Sequence, residues 1–123
     1  MHKNILFFIA ALLFFSCEKS AKKDYKTLPV EIFLSGGLER EYMLYVPPSA
    51  QKNSPLVFIL HGLGSTNTTI MNYSQMNMVA DKYGFAVCYP QGIKSSKRSI
   101  YTKKGSTFWN VGYETHKDET VDD

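Results

Sequence analysis

The residues with the clearest chemical potential are His61-Gly62-Leu63-Gly64, which follow an unbroken apolar run at 56–60. Glycine at positions 62 and 64 permits backbone dihedrals that a side chain would forbid, so the chain can turn sharply there. A buried strand that leads into such a turn and then a helix gathers backbone N–H groups around a ligand. We therefore predict that this loop stabilises a negatively charged oxygen, as an oxyanion hole does in acyl transfer.

His61 has two interpretations. A histidine at a strand end is more often structural than catalytic, because its ring can satisfy neighbouring backbone groups. Here both interpretations favour a supporting residue: the side chain would hold the turn in shape while the backbone N–H near Leu63 contacts the oxygen. We do not expect His61 to act as the general base.

Acyl transfer also requires a nucleophile, and the sequence contains no Gly-x-Ser-x-Gly motif. Ser65 is the serine beside the loop, but it does not follow the strand-to-helix elbow that exposes a nucleophile. A loop or helix-capping role is the stronger interpretation for it. We therefore predict that no catalytic residue is present in this chain.

The elements that must position the loop are predicted from periodicity. Residues 30–34 and 41–46 alternate as strands, and the Gly36-Gly37 pair between them indicates an antiparallel hairpin. Residues 56–60 predict a central strand buried on both faces, residues 74–83 an amphipathic helix ended by Gly84, and residues 85–89 a second buried strand. The predicted fold is α/β, with a hairpin followed by a parallel βαβ unit.

Charge and composition restrict the partners. The formal net charge is only +3, which argues against a dedicated nucleic-acid-binding protein. Residues 91–106 are rich in lysine and are predicted to be a solvated loop; a polyanion-binding patch is the alternative. A mixed metal site was considered for the acidic C-terminus (His116, Asp118, Glu119, Asp122 and Asp123), but the spacing matches no zinc or calcium pattern. We predict neither a metal nor a cofactor.

The N-terminus predicts export. Residues 1–16 combine a basic start with an apolar run at 5–15, which is typical of a signal peptide and too short to span a bilayer. Cys17 follows directly, in the position of the acylated cysteine of bacterial lipoproteins. We predict a lipid anchor at Cys17, a flexible tether over 17–27 and a domain over 28–123; an ordinary signal peptide with Cys17 incidental is the alternative.

Residues 40–123 resemble the N-terminal part of α/β-hydrolase esterases of the polyhydroxybutyrate depolymerase and feruloyl or acetylxylan esterase type. The segments that carry this resemblance are REYMLYVP at 40–47, PLVFILHGLG at 55–64, ADKYGFAV at 80–87, YPQG at 89–92, WN at 109–110 and VDD at 121–123.

The resemblance implies a secreted or lipid-anchored serine hydrolase that cleaves esters of a polymeric or oligomeric substrate. In that family the nucleophile, acid and base all follow the VDD segment, so the resemblance implies a fragment that is inactive as given. His61, Gly62, Leu63 and Gly64 then correspond to the oxyanion loop. Two alternatives remain: a prolyl-oligopeptidase-type peptidase fragment, and a non-enzymatic surface lipoprotein that binds a ligand through its basic loop at 94–104.

Overall fold

A computed structural model describes residues 25, 28–98 and 103–112. Their elements are, in chain order, β1 Val30–Ser35, β2 Leu38–Tyr45, β3 Leu56–Phe58, α1 Asn67–Ser74, α2 Met76–Tyr83, β4 Ala86–Pro90, β5 Ile93–Lys94 and β6 Thr107–Phe108. The first four strands form one sheet in the order β1-β2-β4-β3, and β5 pairs with β6 in a separate ribbon.

The predicted hairpin is confirmed. β1 and β2 are antiparallel, and the pair Ser35 and Leu38 closes them around a two-residue turn. Gly36 and Gly37 have φ of 59° and 79°, the left-handed values that a type I′ hairpin turn requires at both positions. A residue with a side chain would be strained at either place.

The parallel unit is also confirmed. β3 and β4 run parallel, and both helices lie between them in the sequence. A parallel pair requires a crossover connection, and the helices supply it. The described residues therefore form an α/β arrangement with a mixed sheet.

The core lies between the helices and one face of this sheet. Alternate residues of β2 and β4 point to that face, and they pack with the inner sides of α1 and α2. The buried members of this cluster are Met43, Tyr45, Met71, Ala80, Val87 and Tyr89.

The prediction that residues 56–60 form a central strand buried on both faces is wrong. β3 covers only Leu56–Phe58 and is the edge strand of the described sheet, whereas β4 is the inner one. Leu56 and Phe58 are 48% and 57% exposed because the helices cover only the opposite face. An apolar run shows that a strand can be buried, but the run does not decide its place in the sheet.

The predicted helix over 74–83 corresponds to α2, which begins two residues later at Met76, whereas α1 was not predicted. There are two helices, and Gln75 separates them with a left-handed φ of 51°. Gly84 ends α2 with φ 74°, as predicted. The buried side of α2 carries Asn77 and Ala80, while Tyr83, assigned to the apolar face from its spacing, is exposed. The Tyr89 hydroxyl donates to the Asn77 side-chain oxygen at 2.8 Å, whereas the Asn77 amide nitrogen is buried and has no hydrogen-bond partner among the described residues.

Tyr25, within the predicted tether, contacts the domain. Its hydroxyl and that of Tyr45 both donate to the carboxylate of Asp81, and the two rings meet edge to face. Burial and, next, the Asp81 carboxylate raise the pKa of Tyr45 to about 12. The predicted signal peptide, the anchor at Cys17, and the acidic C-terminus lie outside the described residues. Within the described part of the chain, no helix is long and apolar enough to cross a membrane.

Candidate active site

His61 lies three residues after the end of β3 and is 2% exposed. Its Nε2 accepts a hydrogen bond from the Gly92 N–H at 2.9 Å. The Gln91 amide nitrogen also lies 2.9 Å from the same atom. On the other side of the ring, Nδ1 is 2.8 Å from the Gly62 carbonyl oxygen. Both ring nitrogens are therefore engaged with backbone or amide groups.

These partners assign the tautomer of the His61 ring. The Gly92 N–H can only donate, so Nε2 carries no proton, and the Gly62 oxygen can only accept, so Nδ1 carries one. A general base needs a free lone pair directed at the substrate. The Nε2 lone pair is occupied inside the protein, and the geometry gives His61 a structural role in holding the loop.

The four residues 62–65 form a type II β-turn. The Ser65 N–H donates to the Gly62 carbonyl oxygen at 3.1 Å, and Gly64, at the third position, has φ 72°. Among the described residues, no hydrogen-bond partner occurs for the N–H groups of Gly62 and Leu63. Both residues are exposed. The turn therefore presents two consecutive backbone donors to a ligand.

Residues 107–109 hold this turn from the other side. The Gly64 N–H donates to the Thr107 carbonyl oxygen at 2.7 Å, and the Thr107 hydroxyl donates to the Ser65 carbonyl oxygen. The Trp109 indole N–H donates to the His61 carbonyl oxygen at 2.8 Å, and the two rings are 5.0 Å apart. The Gly64 N–H is thus already paired, which leaves the preceding two N–H groups for a ligand.

Residues 91 and 92 connect the turn to α1. The Gln91 side-chain oxygen accepts from the N–H of Asn67, the first residue of α1, at 3.0 Å. Gly92 passes so close to β6 that a Cβ built on it would lie 2.4 Å from the Phe108 carbonyl oxygen. Only glycine allows this approach, and the approach places its N–H against the His61 ring.

The other sequence predictions for the site have mixed outcomes. Thr66 is the N-cap of α1, where its hydroxyl accepts from the Thr69 N–H at 3.1 Å. Ser65, for which we predict a loop or helix-capping role, therefore lies in the turn next to the cap. The basic segment 91–106 is not simply a solvated loop, because it contains β5 and leads into β6. The described residues contain no cluster of three or more metal-ligating side chains.

Sequence reasoning gave no role to Gln91, Gly92, Thr107 or Trp109. One signal could have found the first two: β3 and β4 are parallel, and the ends of adjacent parallel strands meet at the same edge of a sheet. Residues directly after β4 would therefore be expected near the segment that follows β3, which contains His61. No local signal points to Trp109, which is 48 residues from His61.

Comparisons with known proteins identify a family for this chain. The family model described as Esterase PHB depolymerase matches residues 40–107. The protein named "Putative esterase NocK", from Nocardia uniformis subsp. tsuyamanensis, is 30% identical over 88 residues, which are 69% of this chain and 25% of that protein. The chain thus spans about a quarter of the length of this curated relative. No solved structure matches the chain.

Proposed function

The chain belongs to the Esterase PHB depolymerase family, and from that membership we propose that it is the oxyanion-loop portion of a carboxylic ester hydrolase that acts through a serine acyl-enzyme. The observation that carries this proposal is the exposed turn at Gly62 and Leu63, whose N–H groups have no partner among the described residues. Attack on an ester carbonyl produces a negative oxygen, and two fixed backbone donors stabilise it without reorganisation.

The nucleophile is proposed to lie outside residues 1–123. Two observations support this: the sequence has no Gly-x-Ser-x-Gly motif, and the chain spans a quarter of the esterase that it resembles. In a serine hydrolase the serine attacks the carbonyl and a histidine takes its proton. His61 does not serve as that base, because its ring holds the turn.

The role of the turn is tested by Leu63→Pro. Proline is favoured at the second position of a type II turn, so this change removes the Leu63 N–H while preserving the turn. Leu63→Ala is the matched control, because it removes the side chain and keeps the donor. The probe is methyl methylphosphonate, a tetrahedral monoanion, titrated into the 15N-labelled chain. We expect amide shifts centred on residues 62 and 63 in the wild type and in Leu63→Ala, and a clearly smaller shift at Gly62 in Leu63→Pro, which has no amide proton at position 63 and keeps one donor. An undiminished shift at Gly62 in the proline variant would refute the assignment.

Catalysis is tested with para-nitrophenyl acetate and butyrate. We expect no turnover by the 123-residue chain; turnover would disprove the proposal that the nucleophile lies outside it.

We also expect the DNA after the Asp123 codon to encode Gly-x-Ser-x-Gly in frame, and the product that includes it to hydrolyse these esters. In that product Leu63→Pro should lower kcat by about 10²–10³-fold and Leu63→Ala should not. Cleavage of a proline-containing peptide anilide and not of the esters would favour the peptidase alternative.

The setting and substrate of the enzyme are also proposals. The apolar run at 5–15 and Cys17 support export with a lipid anchor, which would place the domain at a membrane surface or in the periplasm. Membership of the Esterase PHB depolymerase family supports an ester substrate, and we propose that the substrate is polymeric or oligomeric.

A further inference from the structure

A cationic surface lies beside the turn at 62–65. It is formed by β5, β6 and the described residues that join them, 93–98 and 103–108, which we call the basic ribbon. The basic residues of the ribbon are all exposed, and they are Lys94, Lys97, Arg98, Lys103 and Lys104. No Asp or Glu occurs in the sequence between Asp81 and Glu114, so the charge is not balanced locally along the chain.

The ribbon presents several of these charges on ordered backbone. Beyond the β5–β6 pairs, the Ser95 N–H donates to the Ser106 carbonyl oxygen at 2.8 Å and the Gly105 N–H donates to the Ser95 carbonyl oxygen at 2.9 Å. Residues 103–106 form a turn closed by the Ser106 N–H to the Lys103 carbonyl oxygen, with Gly105 at φ 85°. Lys103 and Lys104 therefore lie on a tight turn within the basic ribbon. Because the backbone of this turn is already ordered, the entropy cost of binding is lower.

The ribbon is attached to the candidate oxyanion loop. Lys94 pairs across the ribbon with Thr107, whose carbonyl oxygen and hydroxyl bind Gly64 and Ser65. Directly paired residues of antiparallel strands share one face and lie about 5 Å apart at Cα. Since the Thr107 side chain faces the turn, the Lys94 side chain leaves the ribbon on the side of the turn.

From this attachment we propose that the basic ribbon is a subsite for an acidic substrate, namely the ester of a carboxylate-bearing polysaccharide or oligosaccharide. The inference rests on the proposed ester hydrolase and specifies its substrate class. Carboxylates beyond the scissile ester would lie against Lys94, Lys103 and Lys104 while the ester carbonyl lies at Gly62 and Leu63. Clustered cations would also raise the local concentration of such a polymer and speed its association.

A polysaccharide fits this position better than the other polyanions. Cations that only attach a protein to a membrane need no fixed relation to the turn, whereas the ribbon that carries these cations is hydrogen-bonded to the turn through Thr107. Nucleic-acid strands are bound by stacking on aromatic side chains as well as by charge. Among the described residues of the ribbon and directly after it, the aromatic side chains are Phe108, which is 2% exposed, and Trp109, whose ring packs on His61.

The experiment measures binding of the full 123-residue chain, in mild detergent, to fluorescein-labelled polygalacturonate. Two variants with equal net charge are compared: Lys103→Gln/Lys104→Gln in the ribbon, and Lys52→Gln/Lys82→Gln elsewhere on the exposed surface. We expect wild-type binding to weaken as salt rises. The ribbon variant should bind about fivefold more weakly than the control pair, from the usual contribution of exposed charges. Neutral dextran should not bind.

Three results would overturn the proposal: equal binding by the two variants, equal binding of dextran, and, with Cys17→Ala in detergent-free buffer so that the proposed anchor does not contribute, a larger loss of binding to phosphatidylglycerol vesicles than to polygalacturonate in the ribbon variant. The last result would assign the ribbon to a membrane surface. Because the measurement requires no catalysis, it separates this inference from the proposed function. Ribbon-dependent binding combined with inactivity of any product that includes a nucleophile motif would refute the esterase alone.

Discussion

At the residue scale, the site depends on a histidine whose chemistry is directed inward. Both ring nitrogens of His61 are hydrogen-bonded to backbone groups, those of Gly62 and Gly92, and its carbonyl oxygen accepts a hydrogen bond from the Trp109 indole N–H. A buried and fully paired side chain of this kind stiffens the turn, so the exposed donors do not have to be ordered when a ligand binds. In the proposed esterase, His61 would therefore act through the geometry of the loop and would not touch the substrate itself.

The close approach at Gly92 gives a prediction about stability. We expect Gly92→Ala to lower the free energy of unfolding by about 2 kcal/mol, because the added methyl would overlap the Phe108 carbonyl oxygen 2.4 Å away. The measurement is urea unfolding followed by the fluorescence of Trp109, the single tryptophan in the chain.

The matched control for this substitution is Gly62→Ala. A Cβ at position 62 meets nothing within 4 Å, and Gly62 does not have a positive φ. We expect the control to change the free energy of unfolding by less than about 0.5 kcal/mol. Equal destabilisation by both variants would show that the contact between Gly92 and β6 is not the cause.

At the element scale, the break between the helices is the feature that periodicity missed. Gln75 adopts a left-handed conformation, and its N–H donates to the Met71 carbonyl oxygen at 3.3 Å, which ends α1. The break redirects α2 so that Asn77 and Ala80 face the core. A residue with a side chain is mildly strained at such a φ, and glycine is not.

Gln75 therefore provides a second stability prediction. We expect Gln75→Gly to raise the free energy of unfolding by about 0.5 kcal/mol, because the relief of strain outweighs the added entropy of the unfolded chain. Gln75→Val should lower it by about 1–2 kcal/mol, since a β-branched residue fits this region poorly. Gln75→Ala is the control for loss of the side chain and should lie between them. Thermal unfolding measured by circular dichroism checks the order, and a glycine variant less stable than the alanine variant would contradict it.

At the scale of the whole molecule, the described residues cover the sheet unequally. The helices lie on one face, and on the other face Leu44, Leu56 and Phe58 remain partly or largely exposed. Pairing with Cys88 across the sheet places Leu44 and Phe58 on the same side. Exposure of apolar residues on one contiguous face is unusual for a soluble domain.

The proposed lipid anchor is a prediction about the whole molecule. We expect the wild-type protein to partition into the detergent phase after expression in a bacterial host that processes lipoproteins, because an acyl chain adds apolar surface. Cys17→Ala should move the protein to the aqueous phase, and mass spectrometry of the wild-type N-terminus should show acylation. Cys88→Ala is the matched control, since this cysteine is buried in β4. Unchanged partitioning of Cys17→Ala would contradict the anchor.

The sequence by itself determined the features that depend on local geometry. The Gly36-Gly37 turn predicted the hairpin. Two apolar strands, separated by helix-forming residues that end at the left-handed Gly84, predicted the parallel unit. Both signals are local, because dihedral preferences and side-chain periodicity act within a few residues. The loop at 61–64 was singled out in the same way. The structure adds its type II geometry and two N–H groups that have no partner among the described residues.

Only the tertiary structure decided what holds that loop and which faces are covered. Two of the hydrogen-bond partners of His61, Gly92 and Trp109, lie 31 and 48 residues away in the sequence. No local pattern selects contacts over such separations. The edge position of β3 is likewise a property of strand order, since an apolar run is compatible with an inner or an outer strand. Local preferences limit the elements, whereas packing and hydrogen bonding between distant segments arrange them into a site.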